Sequence, residues 1–375
     1  MTSDLFEVSA PPVSGERIRQ ARELLQMTQS DLAVAVGVDQ TMIAHIERGT
    51  KQPNSELLQA LATTLQLPTR FFRLPAPPAL PKGSLLFRAK AGVGRRVIAR
   101  THAHAELVFE MAYRLSNYAK SIAVTVPRGL DPIESARETR TLMGYSPTEP
   151  AMNLVRAIER LGVLVIALPP SDECDAFAVW SRTDQETPII GLASGKAFDR
   201  ARMNAAHELG HLVLHGNIDA GTPALEREAY QFAAELLMPA QAIAVDLNAE
   251  RPSLFTLARL KAKWQVSMQA LARRAKDLSI LSDRQFRYLM QQISSRGWRT
   301  IEPEFTALKP EVPRGLRKMI EIAFGGDVTP ATVARRFDLS EDFATALFNA
   351  YAPPPMTSKS KGSNTKPTAT VVSIK

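Results

Sequence analysis

Residues 203–215 run Met-Asn-Ala-Ala-His-Glu-Leu-Gly-His-Leu-Val-Leu-His, and this stretch restricts the fold more than any other. His207 and His211 are four residues apart. On an α-helix that spacing puts two side chains on one face, about 6 Å apart along the axis. Met203, Ala206, Gly210, Val213 and Leu214 supply the apolar stripe of such a helix. Two imidazoles placed this way can share one zinc ion, with Glu208 between them available for acid–base work. The bland alternative is a helix with two surface histidines. A zinc site also needs a third protein ligand. His215 is eight residues from His207, about 12 Å along a straight helix, too far to share one ion unless the helix breaks. The next helical pattern, residues 225–239, places Glu226 within the stripe of Ala229, Tyr230, Ala233 and Leu237. Glu228 points about 140° from Ala233, away from the core. A carboxylate aimed at a core needs a partner, so Glu226 is the expected third ligand and Glu228 the substitute.

The segments Arg200-Ala-Arg-Met-Asn-Ala-Ala-His207-Glu208-Leu-Gly-His211 and Glu226-Arg-Glu-Ala-Tyr-Gln-Phe-Ala-Ala-Glu-Leu-Leu-Met-Pro239 resemble the ImmA/IrrE family of zinc metallo-endopeptidases. The resemblance covers roughly residues 150–250. Strand-like runs at 163–168, 176–181 and 188–193 fit the small sheet of that family. It implies zinc held by His207, His211 and Glu226, with Glu208 as general base. It offers no dedicated oxyanion stabiliser; His215, His102, His104 and Tyr230 are the candidates. Tyr230 is also a departure, standing where the family usually carries Asn or Asp.

A second patterned region lies near the N-terminus. Ile18, Ala21, Leu24 and Leu25 recur at helical spacing. Thr28 with Asp31 three residues on is a capping-box start. Gly37 ends that helix, Asp39 can cap the next, and Ile43 and Ile46 form its buried stripe. Two short helices joined by a glycine turn make a helix-turn-helix. Thr28-Gln29, Leu32-Ala33, Gly37-Val38, Ile43 and Ile46-Glu47-Arg48-Gly49, with Pro53, resemble the lambda-repressor-like, or XRE, DNA-binding family. The resemblance implies a five-helix head whose second motif helix, Asp39 to Glu47, enters the major groove of double-stranded DNA. Gln29, Gln40, Thr41, Ala44 and His45 then face bases or phosphates. Arg22 and Glu47 fall where the family buries an ion pair.

Charge complicates that picture. The chain's net charge is +8. Residues 1–80, however, hold 7 Lys and Arg against 8 Asp and Glu, a net of −1. Phosphate neutralisation supplies much of DNA affinity, so dimerisation or the basic block at 81–125 must supply the missing charge. That block holds 8 cations against 2 acids, and residues 251–300 hold 11 against 2. The second basic block reads equally as another DNA surface, a solvated face, or a docking face for the acidic segment at 126–250. It contains a helix-turn-helix-like piece, and residues 328–346 offer one more.

The expected organisation is a mainly α chain with a small β-sheet, of the α+β class. It comprises a loose tail at 1–14, the helix-turn-helix head at 15–74, and a proline-containing linker and basic helical connector at 75–125. A zincin-like peptidase domain follows at 126–250, then helix-turn-helix-like segments at 251–351 and a disordered tail at 352–375. No apolar run approaches the roughly 20 residues of a membrane helix, and Cys174 is the only cysteine, so no internal disulfide forms. The expected protein is a cytoplasmic homodimeric transcription regulator whose zinc peptidase cleaves an XRE-type repressor, itself or a partner. The competing expectation is a plain repressor whose peptidase-like body is a non-catalytic sensor or dimerisation module.

Overall fold

The computed structural model describes residues 11–81, 92–118, 123–183, 186–216, 222–250, 252–303 and 310–351. The tail from 352 onward and residues 1–10 lie outside them. The head comprises α1 (Gly15–Leu24), α2 (Gln29–Val36), α3 (Gln40–Glu47) and α4 (Ser55–Thr64), with a single 3-10 turn, Phe71–Arg73, in the fifth position. The capping box starts α2: Asp31 N donates to Thr28 Oγ1 at 3.0 Å and Thr28 N to the Asp31 carboxylate at 2.7 Å. Gly37 ends it in the left-handed region, φ 71°, which glycine enters without steric cost. Asp39 stands at the N-cap of α3, but its side chain makes no capping bond. Ile18, Leu32, Ile43, Ile46 and Leu61 fill the core of the head. Residues 11–14 are not loose. Val13 is buried and exchanges two backbone bonds with the Gln52 amide, and Ser14 N donates to Phe72 O.

A long helix, α5 (Arg95–Leu115), follows. It forms the helical part of the basic connector expected at 75–125. Arg17 of α1 grips Glu110 of α5 with two hydrogen bonds, at 2.6 and 2.8 Å, and Arg17 is almost fully buried. Arg17 Nε also donates to Pro75 O, and His102 Nε2 lies 2.7 Å from Leu80 O. The described part of the proline-rich segment is therefore pinned between head and connector and is not a free tether.

The body contains α6 (Pro132–Leu142), α7 (Leu154–Arg160), β1 (Leu164–Leu168), β2 (Ala176–Trp180) and β3 (Pro188–Ala193). β1 pairs parallel with β3, and β2 pairs antiparallel on its other side, giving the order β1-β3-β2. Both faces are covered, which is why the strands read as unbroken apolar runs. The sheet separates two cores. Val165, Ala178, Trp180 and Ile190 face one, packed with α8 (Phe198–Leu214), α9 (Pro223–Leu237) and the helices that follow. Ile166, Phe177, Val179 and Ile189 face the other, which they share with the head, α5 and the C-terminal helices.

Beyond α9 come α10 (Ala240–Ala249), α11 (Leu254–Trp264), α12 (Met268–Asp277) and α13 (Asp283–Ser295). Many cations of this basic block are matched within the fold. Lys261 meets Asp199 and Glu302, Lys263 meets Asp246, and Arg274 meets the buried Glu235. Of the readings the sequence offered, docking against the acidic segment is the one these pairs serve. Finally α14 (Gly315–Phe324), α15 (Pro330–Phe337) and α16 (Glu341–Ala350) form a small unit under the sheet. α15 and α16 are joined by a turn with Asp338 in the left-handed region. Tyr351 Oη accepts from Ala167 N at 3.0 Å and ties that unit to β1.

Candidate metal centre and DNA-facing surface

The candidate centre is built where α8 and α9 cross. Gly210 makes the crossing close. A Cβ there would sit 3.0 Å from the Phe232 ring and 3.1 Å from Ala229 O, both on α9. Trp180 Nε1 donates to Leu212 O at 3.2 Å and holds α8 against β2. Thr222 and Pro223 start α9, and Glu226 falls in its first turn, where the helix dipole favours a carboxylate.

Three ligand atoms converge. His207 Nε2 and His211 Nε2 are 3.2 Å apart; Glu226 Oε2 lies 3.2 Å from the first and Glu226 Oε1 3.4 Å from the second. Ligands at about 2.0–2.2 Å in a tetrahedral shell would be separated by about 3.3–3.6 Å. One ligand atom from each of the three lies within 4.8 Å of the others, a donor set of two imidazoles and a carboxylate that could hold a zinc-sized ion. Hydrogen bonding to His207, then to His211, holds the Glu226 carboxyl well below the usual carboxylate range. Glu226 reaches the histidines from the edge of the core, its side chain 46% exposed. The helical-wheel argument placed it inside the apolar stripe, but the first turn of α9 projects past the end of the packed interface.

Glu228 does not point away. Its carboxylate lies 3.0 Å from His215 Nε2, and His215 Nδ1 lies 3.0 Å from His211 Nδ1. The tautomers follow from this chain of bonds. His215 donates Nε2–H to the carboxylate and keeps a lone pair on Nδ1. His211 donates Nδ1–H to that lone pair, so its Nε2, which faces His207 and Glu226, is the nitrogen that would give up its proton to a metal ion. Burial pushes the His215 pKa down, opposed by the hydrogen bond to Glu228. His215 is thus joined to the back of His211 and is not a member of the converging trio. The sequence held a signal for this pair, a further histidine at i+4 and a second Glu two residues after Glu226, but only the helix crossing brings them together.

Glu208 is buried on α8. Two oxyanion candidates are excluded by position. His102 and His104 lie on α5, which packs into the other core; His104 Nε2 contacts Ala167 O of β1 at 3.1 Å. Tyr230 packs against the core of the body with the Arg273 guanidinium 5.9 Å from its ring, and burial raises its pKa to about 12.

On the head, the expected DNA-facing residues lie around the start and outer face of α3. Gln40 and Thr41 are exposed, and Ala44 is half-buried. His45 Nδ1 is 2.9 Å from Thr50 Oγ1. Arg22 donates twice to the Glu47 carboxylate, at 2.6 and 3.0 Å. Gln29 Nε2 donates to the same carboxylate at 2.8 Å, and Gln29 Oε1 accepts from Gln40 Nε2 at 2.9 Å. This chain sets the orientation of both amides at the starts of α2 and α3.

The helix-turn-helix family profile matches residues 18–72, and the peptidase profile described as the IrrE N-terminal-like domain matches residues 158–276. The transcriptional regulator ClgR from two strains of Mycobacterium tuberculosis is 35% identical over 89 residues, which are 24% of this chain and 75% of ClgR. The structure of Bacillus thuringiensis PlcR in complex with the peptide PapR7 and DNA aligns over 90% of this chain and 92% of that one. Its identity is 12% and its TM-score 0.16, too low to carry an argument.

Proposed function

Because the chain belongs to the XRE-type helix-turn-helix regulators and carries an IrrE N-terminal-like peptidase domain, we propose that it regulates transcription through zinc-dependent, site-specific cleavage of an XRE-type repressor, itself or a partner. It works as a homodimer in the cytoplasm. Among the described residues no helix is long and apolar enough to cross a membrane. Gln29, Gln40, Thr41, Ala44 and His45 form the surface that meets double-stranded DNA, Gln and Thr being suited to adenine edges and thymine methyls.

The observation that carries the peptidase reading is the convergence of His207, His211 and Glu226, one ligand atom of each within 4.8 Å of the others. Zinc bound there would supply Lewis acidity toward a peptide carbonyl. Glu208, next to His207 in the chain, is the group that holds and transfers the proton during hydrolysis. The Glu228–His215 pair keeps His211 Nε2 aimed at the trio.

The test is the zinc content of purified full-length protein. About one zinc per chain is expected in the wild type and in Glu228→Ala, and none in Glu226→Ala. A zinc-free wild type would overturn the peptidase reading. Incubation with an XRE-type repressor should then give a cleavage product that Glu208→Ala, with zinc retained, does not. A second reading, a repressor with a non-catalytic sensor body, is favoured by Tyr230, whose packing against the core leaves the trio without the amide or carboxylate usual at that position. Regulation untouched by Glu208→Ala would establish it.

A further inference from the structure

The head is nearly neutral, with 7 Lys and Arg against 6 Asp and Glu in residues 15–74, yet two arginines from outside it stand beside its DNA-facing side. Arg95 and Arg96 open α5. A cleft of about 360 Å³ lies between them and the starts of α2 and α3, with Gln29, Ser30 and Gln40 on its other wall. Both arginines are exposed. Arg96 Nη2 lies 3.6 Å from the Asp31 carboxylate, in a pair whose side chains are 60% and 47% exposed. Ion pairs so exposed contribute little, too little to hold Arg96 from a phosphate.

Two further observations separate these arginines from an ordinary solvated face. The first turn of α5 has no acidic residue, and the helix dipole disfavours cations there. Their position therefore costs local stability. Their placement is also rigid, because Arg17 and Glu110 clamp α1 to α5. The starts of α2 and α3 are the parts of such a head that lie against the DNA backbone, since helix N-termini and short polar side chains make phosphate contacts.

Resting on the reading that the head binds DNA, we infer that Arg95 and Arg96 extend the DNA interface from the body of the protein. They grip phosphates beside the groove entered by α3 and add positive charge to a nearly neutral head. The body thus takes part in binding. Base choice stays with α3, because phosphate contacts position the protein and carry no sequence information.

The experiment measures affinity of the full-length protein for a mixed-sequence 30-base-pair duplex at several salt concentrations. Each phosphate contact adds about 0.9 to the slope of log K against log salt. The Arg95→Ala/Arg96→Ala variant should lower that slope by about 2 for each bound chain. Between 50 and 200 mM salt it should lose about tenfold less affinity per bound chain than the wild type. Arg95→Lys/Arg96→Lys should keep the wild-type slope. Arg287→Ala on α13, an exposed cation outside the core that contains the head, should also keep it. Equal slopes for the double alanine variant and the wild type would overturn the proposal and leave head binding intact. An equal drop in Arg287→Ala would overturn it too, by showing a bulk charge effect. A wild type that binds no duplex would overturn the DNA reading itself.

Discussion

At the residue scale, the structure turns two side chains that looked like rejected alternatives into support for the centre. His215 is too far from His207 to share an ion, and Glu228 was the substitute for Glu226. They lie in series behind His211, each 3.0 Å from the next. Groups in such positions commonly change metal affinity by tenfold to a hundredfold. Glu228→Ala should therefore keep zinc in purified protein yet bind it roughly tenfold to a hundredfold more weakly in competition with a chelator. Affinity equal to the wild type would show that the pair does not orient His211. A different histidine sets a pH dependence. His104 is buried, and burial lowers its pKa from 6.5 to about 4. Between those values the unfolded chain takes up a proton that the folded chain refuses. Stability from this source is intact above pH 6.5 and falls as the pH drops toward 4. Urea midpoints at pH 7.5 and pH 5 should differ less in His104→Gln than in the wild type; an unchanged difference would remove His104 as the cause.

At the scale of elements, the centre depends on how closely α8 and α9 cross. Gly210 has no side chain, and the space a Cβ would need is occupied by Phe232 and the backbone of Ala229. A β-branched residue there pushes α9 outward and draws Glu226 from the histidines. Gly210→Val should lose most of its zinc while retaining its helical circular dichroism. Normal zinc content in that variant would show that the crossing tolerates separation. The head depends on a similar approach at Gly15, where a Cβ would lie 2.3 Å from Ile46 O at the end of α3.

At the scale of the whole molecule, the head is built into the body. Its core is continuous with α5, with one face of the sheet and with the C-terminal helices. The candidate centre stands on the opposite face. Arg17 and Glu110 are the polar lock in this arrangement. Removing one partner of a buried ion pair leaves a charge without compensation, at a cost of about 3–5 kcal/mol; Glu110 is slightly exposed and has Arg114 4.0 Å away, which argues for the lower end. Arg17→Met should lower the thermal midpoint by several degrees, and Arg17→Met/Glu110→Leu should recover most of it. An unaltered midpoint in the single variant would mean that head and body are held by apolar packing alone.

Sequence alone determined the features written in short-range patterns. The capping box at Thr28, the glycine stop at Gly37, the three strand runs and the paired histidines on α8 are all carried by neighbours within about four residues. Each is therefore legible without knowing the fold, and together they indicate the two modules and most of the candidate site. Tertiary structure decided which distant groups meet. The carboxylate that reaches each histidine, the acids that neutralise the second basic block, and the arginines of α5 beside the head all depend on how helices cross. Such crossings are set by small residues such as Gly210 and by buried pairs such as Arg17–Glu110, whose partners are 93 positions apart in the chain. Periodicity within one element holds no record of its partner in another, which is why the helical wheel assigned Glu226 to a buried stripe and turned Glu228 away from a histidine it contacts.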